Sequence, residues 1–212
     1  SLIVERHVST YLKVHLEENK LLYQRQSGFR QNHFCQTAFV NILDDWLSAL
    51  AKSEIVGFLF LVLSKAFDLV DHHKLNQKVS LYGLHNSATV NLTPILTLEL
   101  DNFHTGEQSK PGEATAGVPQ GSLLGPIIYL IHINDLPLSL SNSIADIFAD
   151  DTTLSVLSKS LGEVVTTLSY DLSQVDIWFK QNRMSINSTK SKVLFITSKG
   201  NSSRVVNAQP QI

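Results

Sequence analysis

At 212 residues the chain has room for one domain or one and a half, and 43% hydrophobic residues suffice for a real core. Only 17% of residues are charged and the formal net charge is -2, which counts against an autonomous nucleic-acid-binding protein, because such a protein carries a basic footprint. Cys35 is the only cysteine, which excludes a disulfide framework and a cysteine-rich metal site.

In chain order, Leu2 to Leu22 has apolar residues at Val8, Tyr11, Leu12 and Leu16, a helical spacing. A clearer helix runs from Phe34 to Leu50, where Phe34, Ala38, Phe39, Ile42, Leu43, Trp46, Leu47 and Leu50 form one apolar stripe. The run Ile55 to Leu63 is short, continuous and partly β-branched, which suits a strand buried on both faces; it is too short to span a bilayer. Leu75 to Tyr82 reads as a helix ending at Gly83. From Leu84 to Thr115 no period dominates, and Pro94 interrupts the stretch.

Leu123 to Leu136 reads as an apolar helix that Pro137 stops. Ile144 to Val156 reads as a β-hairpin turning through Asp150-Asp-Thr-Thr153. Leu161, Val164, Val165, Leu168, Leu172, Val175 and Trp178 mark a long amphipathic helix, and Lys192 to Thr197 a final strand. The order from residue 55 is compatible with a split βαβ sheet layered on helices, an α+β fold. The polar tail from Gly200 is expected to fray.

Three segments concentrate chemistry. Asp150 and Asp151 at a tight hairpin can project together as hard oxygen ligands for Mg²⁺, and are equally ordinary turn residues. Ala116 to Pro126 combines Gly117, Pro119, Gln120, Gly121 and Ser122 ahead of an apolar helix. Its glycines allow close backbone approach to a ligand, while Ser122 also suits a helix N-cap. In Leu63 to His72, Lys65 suits phosphate and Phe67 a sugar, against a solvated charge and a core aromatic. Asp68, Asp71, His72 and His73 look like a metal cluster, but acidic residues at a helix start are better explained by capping and the helix dipole.

Taken in order, these segments resemble the reverse transcriptases of non-long-terminal-repeat retrotransposons, over roughly Glu5 to Ser198. Gln26-Ser-Gly-Phe-Arg30, His33, Cys35-Gln-Thr-Ala38 and Trp46-Leu47 resemble that family's fingers motif. Phe60 to His72 resembles motif A, and Gly117-Val-Pro-Gln-Gly-Ser122 with Leu124-Gly-Pro126 motif B. Tyr129 to Pro137 continues the family's helix; Phe148-Ala-Asp-Asp151 resembles motif C, and Asn182 to Lys190 with Lys192 motif D.

The resemblance implies a right-hand polymerase palm with part of the fingers. Residues 1–54 would be partial fingers, 55–200 the palm with fingers interleaved around 84–116, and 201–212 a polar tail. A thumb and an endonuclease domain would lie outside the chain. It implies an RNA template, a DNA primer and deoxynucleoside triphosphates as partners, no membrane, and two Mg²⁺ ions held by one motif A and two motif C carboxylates. Asp150 and Asp151 match the motif C pair; Lys65, Phe67, Gln120, Gly121, Lys190 and Lys192 match nucleotide-binding positions. Arg30, Gly117, Pro119 and Ser122 match the template and primer side. Nothing in the sequence separates nucleus from cytoplasm.

Two departures stand out. The family has aspartate where this chain has Val62, which offers Mg²⁺ no lone pair. Asp68 is six residues on, roughly 20 Å along an extended chain, and is not expected to substitute. Around Asn91 to Phe103, Pro94, Glu99 and Asp101 replace expected helical and basic character. The expected outcome is a reverse transcriptase domain with strongly impaired or no activity. The competing readings are a live fragment that tolerates Val62 and a non-catalytic module binding nucleic acid or protein.

Overall fold

The computed structural model describes residues 2–84, 115–118 and 121–198. The expectations for 85–114, Pro119, Gln120 and 199–212 lie outside them, those about Pro94, Glu99 and Asp101 included. The helices are α1 (Leu2–Glu18), α2 (Cys35–Ala51), α3 (His72–Leu81), α4 (Gly125–Ile133) and α5 (Leu161–Gln181), and the strands β1 (Ile55–Leu61), β2 (Ile144–Phe148), β3 (Asp151–Ser158) and β4 (Lys192–Ile196). Two compact units share them: Ser1–Tyr23, Lys65–Asp135 and Asn182–Met184 in one, Gln24–Ser64, Leu136–Gln181 and Ser185–Ile212 in the other.

The second unit contains the sheet. Its strand order is β2-β3-β1-β4, and every neighbouring pair is antiparallel. β1 and β2 therefore run parallel with β3 between them, and β3 and β4 run parallel with β1 between them. That is the split βαβ arrangement expected from the element order. Among the four strands β1 is buried almost throughout, as a continuous apolar strand should be.

Pleating divides β1 between two faces. Gly57 lies on the face packed against α5: a Cβ there would sit 2.3 Å from Val164 Cγ1 and 3.0 Å from Leu168 Cδ1. Gly57→Ala therefore overpacks this layer and is expected to lower stability by about 1–3 kcal/mol in urea unfolding. Val56 and Phe58 face the other way, onto Ala49 and Trp46 of α2, with Trp46 stacked on Phe58 at 4.3 Å. Helix α5 presents Val164, Leu168, Val175, Trp178 and Phe179 inward, close to the expected stripe.

The α2 stripe is a correction. The helix forms, helped by Thr37, whose Oγ1 accepts from the Phe34 N–H and donates to the Phe34 carbonyl. Yet Phe34, Phe39 and Leu47 are exposed, and Ala49 is the helix's buried residue. The sheet covers the side of α2 that carries Ala49 and Trp46 and leaves Phe34, Phe39 and Leu47 uncovered among the described residues.

The first unit is helical where it is described. Helix α1 buries Glu5, Ser9, Leu12 and Leu16, spaced for one face, while Tyr11 of the expected set is exposed. Asp71 caps α3, accepting from the Lys74 N–H at 2.8 Å, and Gly83 follows the helix at φ 74. α4 is shorter than expected: it begins at Gly125 with Pro126 in its first turn and ends at Ile133. Pro137 does not stop it but lies in a separate 3₁₀ turn, Leu136–Ser139. The Asn134 side chain meets three groups after the helix, accepting from the Tyr23 N–H and donating to the Leu21 carbonyl and the Tyr82 hydroxyl.

Candidate active site

Within the sheet unit, the β2–β3 hairpin brings the two aspartates together. Phe148 pairs with Asp151, so the turn is Ala149-Asp150, two residues earlier than the Asp150–Thr153 turn expected. Asp150 sits in the loop and Asp151 opens β3. Ala149 adopts φ 59, the left-handed region that favours glycine at the first position of such turns. Burial pushes the Asp151 carboxyl above its ordinary range, and the charge of Asp150 beside it adds to that. Two adjacent carboxylates at one turn present hard oxygen atoms of the kind a divalent cation takes as ligands.

β1 and β3 are in register at Leu61 and Thr152. Continuing the antiparallel ladder by one residue sets Val62 opposite Asp151. The Val62 N–H donates to Ser191 Oγ at 3.2 Å, and its carbonyl accepts from the Asn187 N–H at 2.8 Å. Both polar backbone groups thus point away from β3. Opposite residues of that kind lie about 4.5 Å apart at Cα, with their side chains close. Val62 and Asp151 share the sheet face of Phe60, Phe148 and Lys192. On this face Phe60 and Phe148 are more than a third exposed, and Lys192 is also exposed.

The turn before β4 is self-braced. Asn187 Oδ1 accepts from Thr189 Oγ1 and the Lys190 N–H, while Ser191 Oγ donates to the Asn187 carbonyl. Lys190 is exposed on this turn. Arg30 donates to the Gln26 carbonyl at 3.0 Å. Nearby, Arg25, which sequence reasoning passed over, bonds Asp146 through Nε at 2.7 Å and also bonds Asp45. Asp44, Asp45 and Asp146 with Arg25 line a cavity of about 340 Å³. Three carboxylates against one guanidinium make it unsuited to a triphosphate.

The motif A and motif B positions that follow Ser64 belong to the other unit. The chain there turns rather than extends: Lys65 adopts φ 50, and its carbonyl accepts from the Asp68 N–H. The extended-chain argument against Asp68 therefore does not apply. Lys65 and Asp68 are exposed, and Phe67 stacks on the buried ring of Tyr129 at 4.6 Å. Gly117 adopts φ 95, and a Cβ on it would come within 3.2 Å of the Asp68 carbonyl oxygen, so its close approach is to the chain's own backbone. Gly121 adopts φ 86, and no atom of the described residues lies within 4 Å of its Cβ position.

Ser122 donates to Glu5 Oε2 at 2.8 Å, and the Leu123 N–H reaches the same oxygen at 2.9 Å. The residue at the α4 N-cap is Leu124, whose N–H donates to Ser122 Oγ. Glu5 was missed because a lone acid in an amphipathic helix reads as solvated. Of the acidic and histidine cluster, Asp71 caps α3 and pairs with Arg183 at 2.7 Å and His72 Nε2 donates to the Gly117 carbonyl, while Asp68 and His73 are exposed. Among the described residues no group of three His, Cys, Asp or Glu could hold a metal ion, and no helix is long and apolar enough to cross a membrane.

Comparison with known proteins agrees with this fold and with the family resemblance. The pattern of the family described as "Reverse transcriptase (RNA-dependent DNA polymerase)" matches residues 3–208. Among curated relatives, the probable RNA-directed DNA polymerase from transposon BS of Drosophila melanogaster is 28% identical over 88% of this chain and 21% of its own length. The corresponding protein of transposon X-element from the same fly is 28% identical over 94% of this chain and 22% of its own. The RNA-directed DNA polymerase from mobile element jockey of Drosophila funebris is 28% identical over 89% and 21%. The chain spans about a fifth of the length of these relatives. Among solved structures, telomerase from Candida albicans, with a fragment of telomeric RNA, matches at TM-score 0.59 and 15% identity. That match covers 89% of this chain and 34% of the telomerase chain. With most of its length matched by the family pattern, and its relatives drawn from such elements, the chain belongs to the reverse transcriptases of non-long-terminal-repeat retrotransposons.

Proposed function

We propose that this chain is the palm, with part of the fingers, of an RNA-directed DNA polymerase that uses two Mg²⁺ ions, and that Val62 disables it. The observation that carries this reading is the β1–β3 register, which sets Val62 across from Asp151. Asp150 and Asp151 would hold the metal, which supplies a lowered pKa for the attacking primer hydroxyl and charge stabilisation for the departing pyrophosphate. An aspartate in place of Val62 would complete the ligand set; valine leaves the cations one carboxylate short.

The remaining residues have roles of orientation. Lys190 and Lys192, exposed near this end of the sheet, suit the triphosphate as point charges. Phe67, Lys65, Gln120 and Gly121 fit contacts to the incoming nucleotide, Phe67 by blocking a ribose 2′-hydroxyl. Arg30, Gly117, Pro119 and Ser122 fit the template and primer side; Ser122 would act there through backbone it holds with Glu5. An RNA template, a DNA primer and deoxynucleoside triphosphates are the partners of this reading. The proposed spans remain fingers for 1–54 and palm for 55–200.

The test is primer extension on an RNA template, with a thumb fused to every variant. Synthesis by Val62→Asp, abolished again by Asp150→Asn, supports the reading. Equal synthesis by the unaltered chain and Val62→Asp contradicts the role given to Val62.

A further inference from the structure

The short arm before α2 does more than connect elements. The Ser27 N–H donates to the Ile147 carbonyl at 2.8 Å, and the Ile147 N–H donates to the Arg25 carbonyl at 3.0 Å. Gln26 forms an isolated parallel bridge to Ile147 at the edge of β2. Gln26 Oε1 accepts from the Gly28 N–H at 2.9 Å, and Gln26, Ser27 and Gly28 are all buried. Arg25 fixes the arm at its start by forking onto Asp146 of β2 and reaching Asp45 of α2.

The arm ends on the aspartate turn. A Cβ on Gly28 would lie 2.1 Å from the Ala149 nitrogen and 2.7 Å from its Cα. Ala149 is the residue held at φ 59, a conformation costing a non-glycine residue roughly 1–2 kcal/mol. Such a conformation persists only where the surroundings over-determine it. Backbone of the arm, at Gly28, lies directly against this residue from outside the hairpin.

We propose that Gly28 is a positioning residue: the Arg25–Gly28 arm fixes the Ala149 turn and thereby sets where Asp150 and Asp151 point. The inference rests on reading that turn as the metal-binding turn. The size of the expected displacement decides its importance. Relieving a 2.1 Å contact requires the two backbones to separate by more than about 1 Å. Metal–oxygen distances tolerate only about 0.2 Å. Even alanine is therefore too large at position 28.

The experiment compares the full chain with Gly28→Ala and with Gly162→Ala, a control whose added Cβ meets nothing nearer than Ser160 Oγ at 3.7 Å. Arg25→Lys is the second variant, loosening the arm without a clash. Two readouts are taken on folded protein: the amide resonances of Asp150, Asp151 and Leu154, and Mn²⁺ affinity by electron paramagnetic resonance. Gly28→Ala is expected to shift the Asp150 and Asp151 amides more than that of Leu154, and to weaken Mn²⁺ binding at least about tenfold; the control does neither. Arg25→Lys is expected to do the same to a smaller extent, and it decides the matter if Gly28→Ala does not fold.

Unmoved Asp150 and Asp151 amides, or amides that move while Mn²⁺ affinity stays within twofold, would overturn the proposal and leave the arm a purely structural brace. If the unaltered chain binds no Mn²⁺, the metal reading of the turn fails. The amides of Asp150 and Asp151 then decide the positioning claim alone.

Discussion

Val62→Asp is expected to raise RNA-templated synthesis by about a thousandfold over the unaltered chain. A metal ion, when held, would supply several kcal/mol of transition-state charge stabilisation, and roughly 4 kcal/mol corresponds to three orders of magnitude. The same substitution should have the opposite sign for stability without metal. It would put a third carboxylate beside Asp150 and Asp151, where burial and like charge already push the Asp151 carboxyl upward. Metal-free Val62→Asp should therefore melt lower than the unaltered chain, and Mn²⁺ should raise its melting temperature more. A merely tolerated polar surface change would show neither the destabilisation nor the metal-dependent recovery. Thermal melts with and without Mn²⁺ separate the two cases.

Asp171→Ala is expected to be the most damaging single change to the sheet unit, at about 3–5 kcal/mol in urea unfolding. Asp171 is fully buried on α5, and its carboxylate accepts from the backbone N–H groups of Ser141, Asn142 and Ser143. Alanine leaves three donors without their acceptor, each costing roughly 1–3 kcal/mol if it stays buried. Asp171→Asn keeps one oxygen and should lose about half as much. Burial alone would raise this carboxyl, but the donors from 141–143 outweigh it, so the folded group titrates below its ordinary range. A depressed folded pKa contributes stability above the unfolded value, near 3.9, and that contribution is lost as pH falls through the folded value. Stability should therefore drop below about pH 4, and the drop should shrink in Asp171→Asn.

Much of the fold could be read from the sequence, and the failures share a cause. Ile55 to Leu61 announced itself because a strand covered on both faces needs no alternation. The α5 stripe was legible because one face of a long helix is buried against one sheet. The α2 stripe misled because periodicity reports which residues could be buried, not whether anything covers them: Phe39 and Leu47 are exposed. The Asp150 turn was placed two residues late because alanine at positive φ carries no turn signal. Pro137 was taken as a stop, although α4 had already ended and Asn134 bonded to the 21–23 segment.

The site divided along similar lines. The aspartate pair and the valine at the end of β1 were visible as ordered motifs. Their juxtaposition was not, because the β1–β3 pairing joins residues about ninety positions apart. Glu5, Arg25 and Asp171 escaped notice because charged residues are expected in solvent, whereas here each is held by hydrogen bonds to specific groups. Gly28 was quoted inside a motif without a role; its contact with Ala149 is a tertiary fact.

The most direct test of the central claim, that Val62 stands where one carboxylate of a metal site is missing, is Mn²⁺ affinity in three proteins: the unaltered chain, Val62→Asp, and Val62→Asp with Asp151→Asn. The expected result is binding at least about tenfold tighter in Val62→Asp than in the unaltered chain, and loss of that gain when Asp151 is neutralised. Equal affinity in the unaltered chain and Val62→Asp, or a gain that survives Asp151→Asn, would contradict it.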